Sequence, residues 1–165
     1  MSKFQFFYDY QCPYCKKGYE TLMELLQDYP DLEAEFLPIE LNPKPIMNPC
    51  IRAFYIAREL GADMDKFHSA MFQKAAVEMQ NVRSSKVVAD IIENIMDKEK
   101  FLEILNSEKY ASKASENNDL AYEKDEVWFL PAFRVPGNQA LRLDAKGGVG
   151  VSRDELKGFL DELVL

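Results

Sequence analysis

Apolar and polar positions change period several times along the chain, and each change marks an element. Residues 4–8, Phe4-Gln5-Phe6-Phe7-Tyr8, are a dense aromatic run that fits a buried, pleated strand. From residue 12 the period becomes helical. Cys15, Tyr19, Leu22 and Leu26 fall on one stripe, which predicts a helix over 12–28 that stops before Pro30. Pro13 suits its first turn, where a missing N–H costs nothing. Residues 32–39 begin by alternating apolar and acidic side chains and read as a second strand, with Pro38 marking its end or an edge position. Strand, helix, strand in this order predicts a right-handed parallel unit.

Asn42-Pro43-Lys44-Pro45 reads as a stiff loop, and the pattern is then helical from 49 to 126. A helix over 50–60 is closed by Gly61. Asp63 caps a second, with Met64, Phe67, Met71, Phe72 and Ala75 as its apolar stripe and Met79 in the same core. Ser84 or Ser85 caps a third, with Val87, Val88, Ile91, Ile92, Ile95 and Met96 facing inward. Phe101, Leu102 and Leu105 mark a fourth. Tyr110, Ala114, Ala121 and Tyr122 mark a weaker fifth, interrupted by the polar run Glu116-Asn117-Asn118-Asp119. Residues 127–135 then read as a strand with Pro131 inside it. Pro136-Gly137-Asn138-Gln139 is a turn, and residues 140–143 form the returning hairpin strand. Gly147-Gly148-Val149-Gly150 is a flexible loop. Ser152 and Glu155 form a capping box for a last helix that buries Leu156, Phe159, Leu160 and Leu163. The expected architecture is α/β: a thioredoxin-like βαβ…ββα core from residues 1–48 and 127–165, with an all-helical insertion over 49–126.

The chemistry-bearing feature is Cys12-Pro13-Tyr14-Cys15, placed between the first strand and the first helix. A helix start presents unpaired N–H groups and the positive end of the dipole, which favour a thiolate, the reactive form of cysteine. Lys16 and Lys17 add positive charge, opposed by Asp9 and Glu20. Cys12 is therefore the candidate nucleophile. Cys15, one helical turn on and facing the core, is the candidate resolving thiol. A metal site is the rival reading, and Cys12, Cys15, Cys50 and His68 are the only soft ligands in the chain. The last two lack the close spacing of a structural zinc site. Cys50 and His68 read more simply as packing.

Composition narrows the function. The chain has 165 residues, 47% of them hydrophobic and 29% charged, enough for one domain with a real core. A net charge of -8 argues against nucleic acid or an anionic membrane surface as partner. No apolar run approaches the ~20 residues of a membrane span. Met1-Ser2-Lys3 leads straight into the first strand without a secretory signal, so the expected location is cytoplasmic. There, a lone close cysteine pair reads as catalytic.

Asp9-Tyr10-Gln11-Cys12-Pro13-Tyr14-Cys15, Leu130-Pro131-Ala132-Phe133 and the helical block between them resemble the DsbA-like family of the thioredoxin superfamily. The resemblance implies a thiol–disulfide oxidoreductase acting on a disulfide- or thiol-containing protein or peptide, with a separate redox partner. No bound cofactor is implied, and glutathione is a candidate co-substrate. It implies that Cys12 attacks, Cys15 resolves, Pro131 is a cis-proline facing the pair, and the Leu130 backbone pairs with substrate. Pro13, Tyr14, Leu130 and Pro131 are thus the candidate substrate-contacting residues. The Pro13-Tyr14 dipeptide resembles glutaredoxins, where the best-known periplasmic oxidase of the family has Pro-His, so a weaker oxidant is expected. The bulky Phe129-Leu130 ahead of Pro131 is expected to narrow the groove. Kappa-class glutathione transferases and 2-hydroxychromene-2-carboxylate isomerases are similar too, with serine in place of Cys12, so a glutathione-dependent transferase or isomerase is the alternative activity the resemblance implies. The chain looks nearer to the FrnE-like branch, which keeps both cysteines.

Overall fold

The computed structural model describes residues 2–40 and 49–165. The proline-rich loop expected at 42–45 lies outside them. Four strands form one mixed sheet in the order β2-β1-β3-β4. β1 (Ser2–Tyr8) pairs in parallel with β2 (Leu32–Pro38) across α1 (Pro13–Leu26). β1 also pairs antiparallel with β3 (Ala132–Val135), which pairs antiparallel with β4 (Asn138–Asp144). The last helix, here α7 (Arg153–Leu163), starts on the expected capping box of Ser152 and Glu155. This is the thioredoxin-like α/β fold with a helical insertion.

β1 is central. Phe4 to Tyr8 are all buried, on both faces of the strand, because neighbours cover each side. Phe6 stacks on Phe133 and Tyr8, and Phe4 meets Phe159 of α7 edge-on. Each fully buried ring stabilises the fold by roughly 1.5–3 kcal/mol, so this strand anchors the chain entering the cysteine pair.

The insertion comprises α2 (Pro49–Glu59), α3 (Met64–Phe72), α4 (Ser85–Ile92), α5 (Lys98–Asn106) and α6 (Lys113–Asp119). Asp63 caps α3 and Ser84 caps α4 as the sequence predicts, and Gly61 closes α2 at φ +69°. Three expectations need correction. The polar run at 116–119 does not interrupt a helix but lies within α6, which continues as a π-helical turn, Leu120–Lys124. Asn117 is buried there because its amide donates to the Pro38 carbonyl and the Tyr55 hydroxyl. Met79 is not core. α3 runs on as a π-helical turn, Gln73–Val77, and Met79 follows it at φ +55° with 83% of its surface exposed.

The strand expected over 127–135 begins only at Ala132, so Pro131 precedes it rather than lying inside it. Two causes combine. Proline cannot donate to the ladder, and Val127 is buried with its N–H bonded to the Ala121 carbonyl, which ties this segment to the end of the insertion. At the other end of β3, the buried Arg134 guanidinium pairs with Asp144 at 2.7 Å and donates to the Asp125 and Phe133 carbonyls.

Candidate active site at the start of α1

After Tyr8 the chain turns sharply. The Gln11 N–H donates to the Asp9 carboxylate at 2.9 Å, and the Cys12 N–H donates to the Asp9 carbonyl at 3.0 Å. Aspartate supports this kind of local turn with its short side chain. Tyr10 fastens the turn to the insertion. Its hydroxyl lies 3.0 Å from Tyr8 and 3.0 Å from His68 Nδ1, with Phe67 and Phe72 against its ring. His68 thus serves packing; burial drops its pKa to about 3, so it stays neutral.

Cys12 is the N-cap of α1 rather than its first residue, with Pro13 inside the first turn. Cys12 and Cys15 approach to 3.3 Å, both as free thiols. Their environments separate them. The Cys15 thiol bonds to the Cys12 sulfur and is the largest influence drawing Cys12 down to about 7, against the opposing effect of burial. The sulfur makes no regular capping bond, yet the N–H groups of Cys15 and Tyr14 also favour its thiolate, while the Asp9 carboxylate disfavours it. Cys15 is fully buried, and burial pushes its thiol well up, reinforced by its bond to Cys12. A thiol near 7 is about half ionised at neutral pH, so one sulfur is ready to attack while the other holds its proton. Lys16 does not supply the charge expected of it, because it is engaged by Glu20, and neither lysine is a leading influence on Cys12.

Sheet register brings Pro131 to the end of β1 that leads into this pair. Phe7 pairs with Ala132, which puts Pro131 alongside the Tyr8 end of β1, where the chain enters the cysteine turn. The Leu130–Pro131 bond is cis. The Pro131 ring lies against α1 at Gly18, so closely that a Cβ on Gly18 would stand 2.9 Å from the proline Cγ. Gly18 is a site residue the sequence reading passed over; a glycine in the middle of an amphipathic helix was its signal. Leu130 is buried, whereas Trp128 and Phe129 are 69% and 52% exposed beside it.

The loop after β4 was also read too simply, as flexible. The Tyr14 hydroxyl donates to the Gly148 carbonyl at 2.9 Å, and a Cβ on Gly150 would come within 3.2 Å of the Tyr14 side chain. Gly147 meets the Phe129 ring in the same way, at 3.0 Å, and the Ala145 N–H donates to the Pro131 carbonyl at 3.1 Å. The cluster of glycines was visible in the sequence; what it packs against was not.

The four soft side chains do not converge. Among the described residues no group of three His, Cys, Asp or Glu side chains could hold a metal ion, and Cys50 is buried at the start of α2 with its thiol pushed well up by burial. No helix among them is long and apolar enough to cross a membrane.

Known proteins share this fold. The model of the DSBA-like thioredoxin domain matches residues 3–141. No curated protein matches the chain significantly. Among solved structures, Pseudomonas aeruginosa DsbA superposes with a TM-score of 0.74 at 23% identity, covering 96% of this chain and 80% of its own. A thioredoxin-like oxidoreductase from Silicibacter pomeroyi DSS-3 gives 0.71 at 20% identity, over 97% of this chain and 84% of its own. BcfH of Salmonella enterica Typhimurium gives 0.73 at 17% identity, over 98% and 70%. At such identities these likenesses speak for the fold alone. The family model spans most of the sequence, and on that match the chain belongs to the DSBA-like thioredoxin domain family.

Proposed function

We propose that the protein is a thiol–disulfide oxidoreductase working through Cys12 and Cys15 on peptide or small-molecule disulfides. The observation that carries this reading is the split pair: two free thiols 3.3 Å apart, one drawn down to about 7 and the other held protonated by burial. The Cys12 thiolate attacks one sulfur of the substrate disulfide. A Cys12–substrate bond forms, and the other substrate sulfur leaves and takes up a proton. Cys15 then loses its proton and attacks Cys12, releasing the second substrate thiol and leaving a Cys12–Cys15 disulfide. Two electrons pass to the substrate. A dithiol redox partner returns them, and the reverse sequence oxidises a dithiol substrate. On this reading the substrate chain lies along Leu130 and Pro131, with Pro13 and Tyr14 beside Cys12 in the first turn of α1.

The test is a redox titration in glutathione buffers with alkylation to count free cysteines. The expected result is a reversible Cys12–Cys15 disulfide with Cys50 unmodified while the protein stays folded. A potential near about −120 to −180 mV would make it an oxidant or isomerase, and one near about −270 mV a reductase. A protein that forms no intramolecular disulfide across the titration is not an oxidoreductase of this kind.

A further inference from the structure

The segment 145–151 touches both halves of the candidate site. On one side the Tyr14 hydroxyl donates to Gly148, and the Tyr14 side chain lies against Gly150. On the other, Phe129 lies against Gly147 and the Pro131 carbonyl accepts the Ala145 N–H. The segment is itself closed: Lys146 and Gly150 exchange backbone bonds at 3.2 and 3.0 Å, and the Val149 N–H donates to the Lys146 carbonyl at 3.0 Å. Gly148 and Gly150 sit at φ +75° and +83°, where side chains are strained. Val149 projects from the tip, 71% exposed. The loop is thus a short tongue closed on itself, and Tyr14 is the one side chain of the Cys-Pro-Tyr-Cys segment hydrogen-bonded to it among the described residues.

We propose that Tyr14 is a positioning residue: by its bond to Gly148 it fastens this tongue to the first turn of α1. The tongue, with Phe129 behind it, then forms the wall along which an extended polypeptide must lie to reach Cys12. This inference rests on Cys12 being the attacking thiol. A small disulfide needs only the sulfur, because it has no flanking residues to lay against the wall. A peptide disulfide uses both. The clasp therefore sets the preference for polypeptide over small disulfides without acting on the sulfur itself.

The test uses the reduced full chain and two probes. One is a short linear peptide whose central cysteine, flanked by apolar residues, is blocked as a mixed disulfide with cysteamine; the other is cystamine, the disulfide of cysteamine itself, which carries no flanking residues. Each takes two electrons from the Cys12–Cys15 dithiol and leaves as two thiols. Tyr14→Phe keeps the ring and removes only the bond. The expected result is a fall of about three- to tenfold in the ratio of kcat/KM for peptide to kcat/KM for cystamine, the range one hydrogen bond supports. The fall should lie in the peptide KM, with the Cys12 titration and the pair's potential in place. Gly150→Ala, which crowds Tyr14 and strains the tongue at φ +83°, should lower the ratio at least as much, and the double variant should lose no more than the worse single one. An unchanged ratio, additive losses, or a shifted Cys12 titration would each overturn the clasp. A wild-type chain that reduces neither probe removes the function proposed above and this inference with it.

Discussion

Cys12 and Cys50 begin from the same local design and end in opposite states. Each stands beside a proline at the start of a helix, α1 in the sheet half and α2 in the insertion. Yet Cys12 is drawn down to about 7, while Cys50 is pushed well up. The helix start is common to both, so it cannot be what separates them. A helix dipole is worth at most about 2 kcal/mol, whereas full burial can shift a thiol by roughly 3–5 pKa units, about 4–7 kcal/mol. At Cys50, 1% exposed, burial wins, and the carboxylates of Asp9 and Glu40 push the same way. At Cys12, 7% exposed, a second thiol and two N–H groups face the sulfur and outweigh burial. Activation here is a property of the neighbours, not of the helix start.

The largest effect that could break this contrast is on turnover. Cys12→Ser should lower disulfide reduction by at least ~1000-fold, as loss of a nucleophile does, while Cys50→Ser should keep it within about twofold, since such a surrounding gives no activated thiol. Equal losses in the two variants would erase the difference. Cys15→Ser should instead leave a stable mixed disulfide on Cys12, visible as a mass adduct. Cys15→Ala should raise the Cys12 titration by on the order of one unit or more, because it removes the largest lowering influence.

Stability against pH sharpens the comparison further. The Cys12 pKa is lowered on folding, so its contribution is absent below about pH 7 and grows as pH rises toward the unfolded thiol value near 8.5. The Cys50 pKa is raised, so its contribution is complete below about 8.5 and is lost above it. In the reduced protein, the Tm difference between wild type and Cys12→Ser should therefore grow from pH 7 to 9. The corresponding difference for Cys50→Ser should shrink above about 8.5. Slopes of the same sign would contradict the assignment.

Two glycines give the smallest effects and separate the site from its scaffold. Gly18→Ala drives a Cβ to 2.9 Å from Pro131 on the Cys12 helix, and should cost about 1–3 kcal/mol by overpacking and slow the reaction. Gly158→Ala, mid-helix in α7 with nothing within 4 Å of the new Cβ, should stabilise by about 0.5–1 kcal/mol and leave the reaction alone. Urea unfolding of both variants measures the pair.

Much of this was legible in the sequence because it is local. The aromatic run of β1, the Cys-x-x-Cys at a helix start, the caps at Asp63, Ser84 and Ser152, and Gly61 at the close of α2 all act within a few residues. The misreadings turn on bonds and backbone geometry that periodicity does not encode. Asn117 looked like a helix breaker until Pro38 and Tyr55 satisfied its amide. Met79 continued a stripe that the π-helical turn rotates away. Val127 to Leu130 had strand composition, yet Val127 bonds to Ala121.

By itself, then, the sequence determined the order of elements, the insertion between two halves of a sheet and the two cysteines at the mouth of α1. Period, capping and turn chemistry are written in neighbouring residues. What burial and close packing set is how far Cys12 is lowered and Cys15 and Cys50 raised, that Pro131 lies against Gly18, and that the glycine tongue is fastened to Tyr14. Each of those depends on what burial and strand register bring together from remote parts of the chain, and a pKa or a close contact does not exist until they meet.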